Sequence, residues 1–457
     1  MVKCSKIPIF PIFLLDIILV NLSFLVALLI WFGFALNKHN IDPYLSLFPW
    51  ISILAGFTFS MFDLYSNWIR KSIQDLISSI ILSIVTLLLL TMALIIIDQG
   101  YAFPRSVIII GAILQFISIS LSRSVIWLLN KRAFGSQRVL IIIQDFKEFP
   151  ILAEKIFQHT KGWFTIGGFL TANNLLLSEL ESSFKDIDVV LISTNIPNKN
   201  EIVNLCIKFG KEILIVPQLS DLILLRSEPQ QVDDVLVLSI RPYDLNLRQL
   251  FFKRLFDIIA ALVLLAVFSP IIITLFMAIP LSSKGPALFK QERLGKNMDK
   301  YLIYKFRSMN HNAEERCGPI LATHRDPRIT KIGRFIRATR LDELPQLYNV
   351  LNGEMSLVGP RPERLYFVSQ FEQTVPHYSY RMSIKPGITG LAQVMGRYST
   401  TVEDKLRLDM MYMYSYSFAL DLKILFQTVG VVLKREQAAG VMDCSVMNDL
   451  IFRKVGS

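Results

Sequence analysis

Charged residues are scarce in this chain of 457 residues: Asp, Glu, Lys and Arg make up 19%, against 52% hydrophobic residues. An ordinary soluble protein is excluded, because so much apolar surface cannot be hidden in its cores, and a membrane protein is the expectation. Acids are the rarer sign, 37 against 48 bases, and the net charge of +11 points to an anionic partner. Charge alone fits phosphates on lipids or small molecules as well as nucleic acid. Cysteine is nearly absent: Cys4, Cys206, Cys317 and Cys444 lie far apart with no CxxC pair. That excludes a disulfide framework and a cysteine-bound zinc, and it suits a reducing compartment. The five histidines are equally scattered and offer no metal cluster.

What the chain has instead is long apolar runs. Four occupy its first part, at about 7–36, 45–66, 73–97 and 106–129. Each reaches the roughly 20 residues needed to cross the hydrocarbon core. The first is too long in its apolar part for a removable signal peptide and lacks a small-residue cleavage site. Asp16 and Asp63 are costly in lipid, so they are expected to face the bundle or an end, in a pairing role. Lys3 and Lys6 precede the first run, Arg70 and Lys71 separate the second from the third, and Lys131, Arg132 and Arg138 follow the fourth. The positive-inside rule then puts the N-terminus, and the chain just after residue 130, in the cytoplasm.

From 138 to about 240 the short runs RVLIII, TIGGFL, DVVLIST, EILIVP and VLVLSI alternate with helical segments such as 147–159 and 199–209. This reads as a small parallel sheet with helices on its faces. A nucleotide site in such a sheet needs glycines after the first strand, so that backbone N–H groups can approach a pyrophosphate. Gln144-Asp145-Phe146 stands there instead. A structural, regulatory or dimerising domain is favoured over a nucleotide binder.

A fifth apolar run follows, with 24 uncharged residues at 258–281. Ser269-Pro270 falls in its middle, where proline removes a helix hydrogen bond and clashes with the preceding turn. Lys253 and Arg254 on one side and Lys284 and Lys290 on the other leave no preferred orientation. Each half, about 12 residues or roughly 18 Å, reaches only one leaflet. A bent helix that enters the bilayer and returns, both ends cytoplasmic, is favoured. The alternative, a kinked fifth span, would put the remaining chain outside, away from activated metabolites.

Residues 284–346 hold 14 Lys/Arg against 7 Asp/Glu. Arg325, Arg328, Lys331, Arg334, Arg337 and Arg340 recur every third residue, a slowly rotating basic stripe if 331–340 is helical. Such a stripe is a solvated face or, beside a bilayer, one attracted to anionic headgroups or to a phosphate substrate. YKFRSM adds Lys305 and Arg307. In RLDELPQLYNVLNG, Asp342 and Glu343 end the stripe side by side. Pro345 suits the first turn of a new helix, where its missing N–H costs nothing. That helix would carry Leu347, Val350 and Leu351 and stop at Asn352-Gly353. The arginines and the helix N-terminus favour ionisation of both carboxylates. Ionised carboxylates there could balance the arginines, hold magnesium, or attack phosphorus to give an acyl phosphate. Residue types alone favour the first. SLVGPRPE then fixes Arg361 between Pro360 and Pro362, as a surface turn or a pre-set fork for phosphate oxygens. KPGITGLAQV makes another tight turn at Gly387 and Gly390.

In this order KRLFD, the Ser-Pro helix, GPALFKQERLG, YKFRSM, DPRITKIGRFIR, LDELPQLYNVLNGEMSLVGPRPE and KPGITGLAQV resemble the bacterial sugar transferase family. These are the polyprenyl-phosphate phosphoglycosyl transferases with a single membrane-inserted catalytic helix, and the resemblance covers about residues 250–435. The N-terminal spans and the α/β domain resemble the large subclass of that family. The resemblance implies a four-helix transmembrane bundle at 1–135 and a Rossmann-like α/β domain at 136–245. A mainly helical catalytic domain at 246–436 would be anchored by a re-entrant broken helix at 253–283, with an unassigned C-terminal extension at 437–457.

The implied reaction passes sugar-1-phosphate from a UDP-sugar to undecaprenyl phosphate with release of UMP, initiating exopolysaccharide, capsule or O-antigen synthesis. Asp342 would be the nucleophile, forming a covalent phosphosugar intermediate, with Glu343 assisting beside it. Magnesium (Mg2+) would neutralise the pyrophosphate near Asp342. Arg337 would meet a substrate phosphate and Arg361 the phosphate or nucleotide end of the donor, Lys305 and Arg307 would contribute to the same pocket, and Ser269 and Pro270 would set the helix break. Implied partners are the UDP-sugar, undecaprenyl phosphate, the lipid bilayer and a second copy of the chain as a homodimer, with no nucleic acid. The implied place is the bacterial inner membrane, catalytic domain on the cytoplasmic face. The sugar is not identified, with a lean to galactose or glucose. A transferase using CDP-alcohols is disfavoured because these helices lack its D-x-x-D-G acids. A non-catalytic scaffold or regulator of polysaccharide assembly is disfavoured by the intact Asp342, Glu343 and Arg361.

Overall fold

The computed structural model describes residues 9–33, 37–65, 73–97, 104–146, 148–160, 163–172, 177–240, 245–310, 326, 328–396 and 400–433. Cys4, Cys317, Cys444, Arg325, the basic residues Lys3, Lys6, Arg70 and Lys71, and the extension 437–457 lie outside the described residues. Two compact units emerge, Met1–Val216 and Pro217–Ser457. Among the described residues five helices are long and apolar enough to cross a membrane, four in the first unit and one in the second.

In the first unit these are α1 (Ile9–Phe32), α2 (Lys38–Met61), α3 (Ile73–Ile97) and α4 (Arg105–Phe134). On α1 every fourth residue, Ile12, Asp16, Val20, Phe24 and Leu28, is buried, which is the inner stripe a 3.6-residue period makes. The four apolar ones share a core with Ile51, Ala55 and Phe59 of α2, Ile80 and Leu87 of α3, and Val107 and Ile119 of α4. Leu14, Leu22, Ile53, Leu89 and Ile113 face outward, as lipid contact requires. Asp16 finds its partner in Arg123 of α4, 2.6 Å away with both side chains fully buried. Removing either member would strand the other charge, a loss of about 3–5 kcal/mol.

The unit continues with β1 (Gln137–Ile143), α5 (Glu148–Thr160), β2 (Phe164–Thr171), α6 (Leu177–Ser183), β3 (Val189–Ile192), α7 (Lys199–Lys208) and β4 (Glu212–Ile215). The strands pair in parallel, in the order β2-β1-β3-β4. Val139, Leu140, Ile141, Ile142 and Ile143 of the central β1 are all buried, the near-continuous apolar run of a strand covered on both faces. The fifth β-rich run does not join this sheet. Val235–Ser239 instead turns back on Glu228–Val232 as an antiparallel hairpin in the second unit. The cause is local: Asp233, at φ +56°, and Asp234 form a two-residue turn that closes the pair before any crossover can form.

The second unit comprises α8 (Leu219–Ile223), β5 (Glu228–Val232), β6 (Val235–Ser239), α9 (Leu247–Ser282), β7 (Leu288–Leu294), β8 (Lys300–Phe306), α10 (Lys331–Ala338), α11 (Gln346–Asn352), β9 (Ser356–Val358), α12 (Leu365–Thr374), β10 (Gly387–Thr389), α13 (Leu391–Met395), α14 (Val402–Tyr414) and α15 (Phe418–Leu433). The apolar run is one helix, α9, of 36 residues. The break expected at Ser269-Pro270 is not an interruption. Proline leaves the carbonyl four residues back, that of Ala266, without its helix N–H. The Ser269 hydroxyl donates to that same carbonyl at 2.8 Å, so the helix continues through its proline.

Both ends of α9 are tied to the rest of this unit. Near its start Arg254 donates to Val350 O and Leu351 O at 2.6 and 2.7 Å, capping the last turn of α11. Asp257 accepts from Leu357 N of β9 at 3.1 Å. Toward its end Leu275 and Ile279 pack with Phe306 and Ile336. Arg307 donates to Lys284 O at 2.5 Å and Ser283 O at 2.7 Å, capping α9 itself.

Candidate active site

Thr330 caps α10 by accepting from Gly333 N at 2.9 Å. Ile336 is buried while Lys331 and Arg334 are exposed. The helix ends at Ala338, and Arg340 takes a left-handed conformation, φ +57°, that turns the chain. The basic stripe therefore does not run unbroken through 340. Asp342 and Glu343 follow in a 3-10 turn, Leu341–Glu343, and Pro345 caps α11. As its sequence signals require, α11 stops at Asn352, with Gly353 at φ +85°.

The two acids have opposite surroundings. Glu343 Oε1 accepts from Arg361 Nη2 at 3.0 Å and from Lys305 Nζ at 3.3 Å, with Arg340 at 3.8 Å. Its burial would raise the carboxyl, but Arg361, Lys305 and Arg340 outweigh that and hold it far below the usual range. Asp342 is half-buried, and its Oδ1 is fully covered yet accepts no hydrogen bond among the described residues. Burial, and then the neighbouring Glu343 charge, push its carboxyl up to about 6 against the pull of Lys305, Arg337 and Arg340. The cations favour ionisation of both acids, but only at Glu343 do they outweigh burial.

Of the six side chains picked from the sequence, Glu343, Lys305 and Arg361 come together directly, and Asp342, next to Glu343 in the chain, feels Lys305 and Arg361 through their charge. Arg337, in the last turn of α10, reaches Asp342 through its charge. Arg307 does not join them: β8 ends at Phe306, and the Arg307 guanidinium is spent on the end of α9. Arg340 is the contributor the sequence reading left out, although it stood in the basic stripe.

Arg361 sits in a backbone held by its carbonyls. Two prolines remove two N–H groups from Val358–Glu363, so apart from Gly359 N, which donates to Thr389 O at 2.8 Å, the segment is fixed through its carbonyls. Val358 O accepts from Lys253 Nζ and Tyr412 OH, both at 3.2 Å, and Pro360 O accepts from Gly387 N at 2.9 Å. Arg361 O accepts from Arg381 Nη2 at 3.1 Å, Pro362 O from Arg293 Nη1 at 3.2 Å and Glu363 O from Leu294 N at 3.0 Å. The turn carrying Gly387 lies so close that a Cβ there would sit 2.1 Å from Gly359 N. The two glycine-containing turns recognised in the sequence are therefore one structure.

Around two carboxylates stand Lys305, Arg337, Arg340 and Arg361, a surplus of cations suited to an anionic ligand. No group of three His, Cys, Asp or Glu residues converges among the described residues. The uncommitted Asp342 Oδ1 fits a hard cation that takes one carboxylate from protein and its other ligands from water and phosphate, which is how magnesium usually binds.

Fold and site together define a membrane protein with a cation-rich carboxylate centre. The profile of the family described as Bacterial sugar transferase matches residues 248–435, and the chain belongs to that family. It is 44% identical over 186 residues to the UDP-N-acetylgalactosamine-undecaprenyl-phosphate N-acetylgalactosaminephosphotransferase of Aeromonas hydrophila, covering 40% of this chain and 44% of the relative. It is 40% identical over 222 residues to the UDP-glucose:undecaprenyl-phosphate glucose-1-phosphate transferase of Klebsiella pneumoniae, 48% of each. The exopolysaccharide production protein PSS of Rhizobium leguminosarum bv. phaseoli is 41% identical over 191 residues, 40% of this chain but 96% of that protein. The chain thus spans less than half the length of the first two relatives.

Proposed function

We propose that the protein transfers a sugar-1-phosphate from a UDP-sugar to undecaprenyl phosphate, releasing UMP, as the first step in building a polysaccharide. The observation that carries this reading is the split within the acid pair. Glu343 is bound by cations, whereas Asp342 keeps a covered oxygen without a hydrogen bond among the described residues. Charge balance accounts for Glu343 and leaves Asp342 unexplained, and an unsatisfied buried acceptor calls for a functional account.

In this reading a carboxylate oxygen of Asp342 bonds to the phosphorus that carries the sugar. The anhydride bond to the nucleotide breaks, and UMP leaves with the electron pair. An oxygen of undecaprenyl phosphate then attacks the same phosphorus, and the acyl-phosphate bond breaks to restore Asp342. Lys305, Arg337, Arg340 and Arg361 offset the repulsion between two polyanions, the main demand of phosphoryl transfer. Glu343 holds Lys305 and Arg361 in place. Magnesium, held by Asp342 with the donor's diphosphate, would supply further positive charge there. Arg307 acts on α9 instead of on substrate.

The same reading makes α1–α4 a transmembrane bundle and α9 a re-entrant anchor with both ends at the cytoplasmic face of the inner membrane. Support for the anchor comes from Arg254 and Arg307, which tie its two ends to the same unit. Such an anchor sets the site at the interface, where a lipid phosphate meets a dissolved nucleotide. The resemblance also puts a second copy of the chain among the partners. The relatives' names differ in the sugar, so the donor is stated as a class. The test is purified protein with magnesium, undecaprenyl phosphate and UDP-glucose, UDP-galactose or UDP-N-acetylgalactosamine, scored for UMP. At least one donor gives UMP, and Asp342→Ala gives none. No UMP with any donor, or full activity in Asp342→Ala, would end this reading.

A further inference from the structure

The Arg361 carbonyl is held by a buried group that lies outside the cluster of acids and cations. Arg381, in the 3-10 stretch Tyr378–Ser383, is 5% exposed, Asp409 of α14 is 2% exposed and Tyr378 is 3% exposed. The guanidinium makes three kinds of bond at once. Its Nε and Nη2 reach Asp409 Oδ2 at 2.8 and 2.7 Å, and its Nη1 donates to Tyr378 OH at 2.5 Å. Its Nη2 also donates to the Arg361 carbonyl at 3.1 Å. The side chain of that same Arg361 reaches Glu343 at 3.0 Å. A continuous path therefore runs from Asp409 through Arg381 and the Arg361 backbone to Glu343.

The geometry suggests why this path exists. Pro360 and Pro362 stiffen the segment, and Pro362 leaves the Arg361–Pro362 peptide without an N–H, so the rotation of that peptide is set by whatever grips the Arg361 carbonyl. A planar guanidinium held on Asp409 offers a donor in a fixed direction, which a flexible lysine ammonium cannot do. Burial of all three side chains removes competing water.

We propose that Arg381, locked by Asp409 and Tyr378, is a positioning residue that aims the Arg361 guanidinium at Glu343 and at the donor phosphate through the carbonyl of Arg361. This deepens the proposed transfer reaction and rests on it. The wild-type protein must first release UMP, and its failure to do so would count against that reaction. With an active wild type, all later outcomes bear on Arg381 alone.

The experiment is a double-mutant cycle on the full chain, reading UMP release from radiolabelled donor so that losses of about a thousandfold stay measurable. Arg381→Lys keeps the charge beside Asp409 but cannot hold Asp409, Tyr378 and the Arg361 carbonyl together. Alone it is expected to lower the rate about tenfold or more, mostly in kcat, with the melting midpoint followed in parallel. In an Arg361→Lys background it is expected to cost less than about twofold further, because interacting residues are non-additive. An equal fold-loss in both backgrounds, or no loss in the wild-type background, would overturn the proposal. If Arg381→Lys does not fold, Tyr378→Phe carries the same cycle without exposing a lone charge. Its smaller loss, about two- to threefold, should likewise vanish beside Arg361→Lys, and persistence of that loss would overturn the proposal.

Discussion

A carboxylic acid attacks phosphorus only when ionised, and burial with Glu343 alongside lifts Asp342 to about 6. A raised acid pKa means the reactive form is present above that value and lost below it. The transfer rate is therefore expected to be steady above neutrality and to fall as pH drops through about 6. Glu343, Lys305, Arg337, Arg340 and Arg361 are among the charged groups acting on this acid. Glu343→Gln removes the like charge while leaving the cations, so the acid limb should move to lower pH. The same change releases Lys305 and Arg361 from their acceptor, so the plateau rate should fall as well. A pH–rate profile of both proteins checks the pair of effects. A limb that moves upward in Glu343→Gln would show that Asp342 is not governed by its neighbour.

At the scale of elements, α9 decides where the site lies. A straight helix of its length would measure roughly 54 Å, more than enough to cross a bilayer. Nevertheless its start is gripped by Arg254 and Asp257 bonds and its end by Arg307, all within one unit. Single cysteines test this, in a chain whose 4 native cysteines are replaced by serine. Arg248→Cys and Lys284→Cys, both at exposed positions, should react with a membrane-impermeant thiol reagent from the same side of sealed vesicles. Labelling from opposite sides would make α9 a span.

The legibility of these elements in sequence follows the range of the interactions that fix them. α11 could be read residue by residue, because Pro345 and Asn352-Gly353 set its ends locally. The hairpin β5–β6 could not, since VLVLSI has a strand pattern whichever strand it pairs with. The continuity of α9 turned on one hydroxyl, and the loss of Arg307 to a helix end turned on which way the chain leaves β8. Arg381 and Asp409 are 28 residues apart with nothing in the spacing to join them.

For the whole molecule, the question is how much of the chain the site needs. The relative from Rhizobium is matched over nearly its whole length by fewer than half of these residues. In this chain the second unit begins earlier, at Pro217. Its helix α8 places Leu222, 4% exposed, in a cluster with Leu294, Tyr378, Met382, Leu406 and Met410. Tyr378 and Met382 flank Arg381, so α8 supports the wall behind the Arg361 turn. A fragment 217–457 is expected to keep both fold and transfer activity. A fragment 246–457 uncovers the Leu222 pocket, a loss of about 1.5–3 kcal/mol for one buried leucine. At this size that corresponds to a melting midpoint lower by roughly 3–12 °C. Thermal unfolding of the two fragments in the same detergent measures the difference, and equal midpoints would show that α8 does not brace the domain. If the longer fragment is also the faster enzyme, the α8 cluster contributes to the placement of Arg361 as well as to stability.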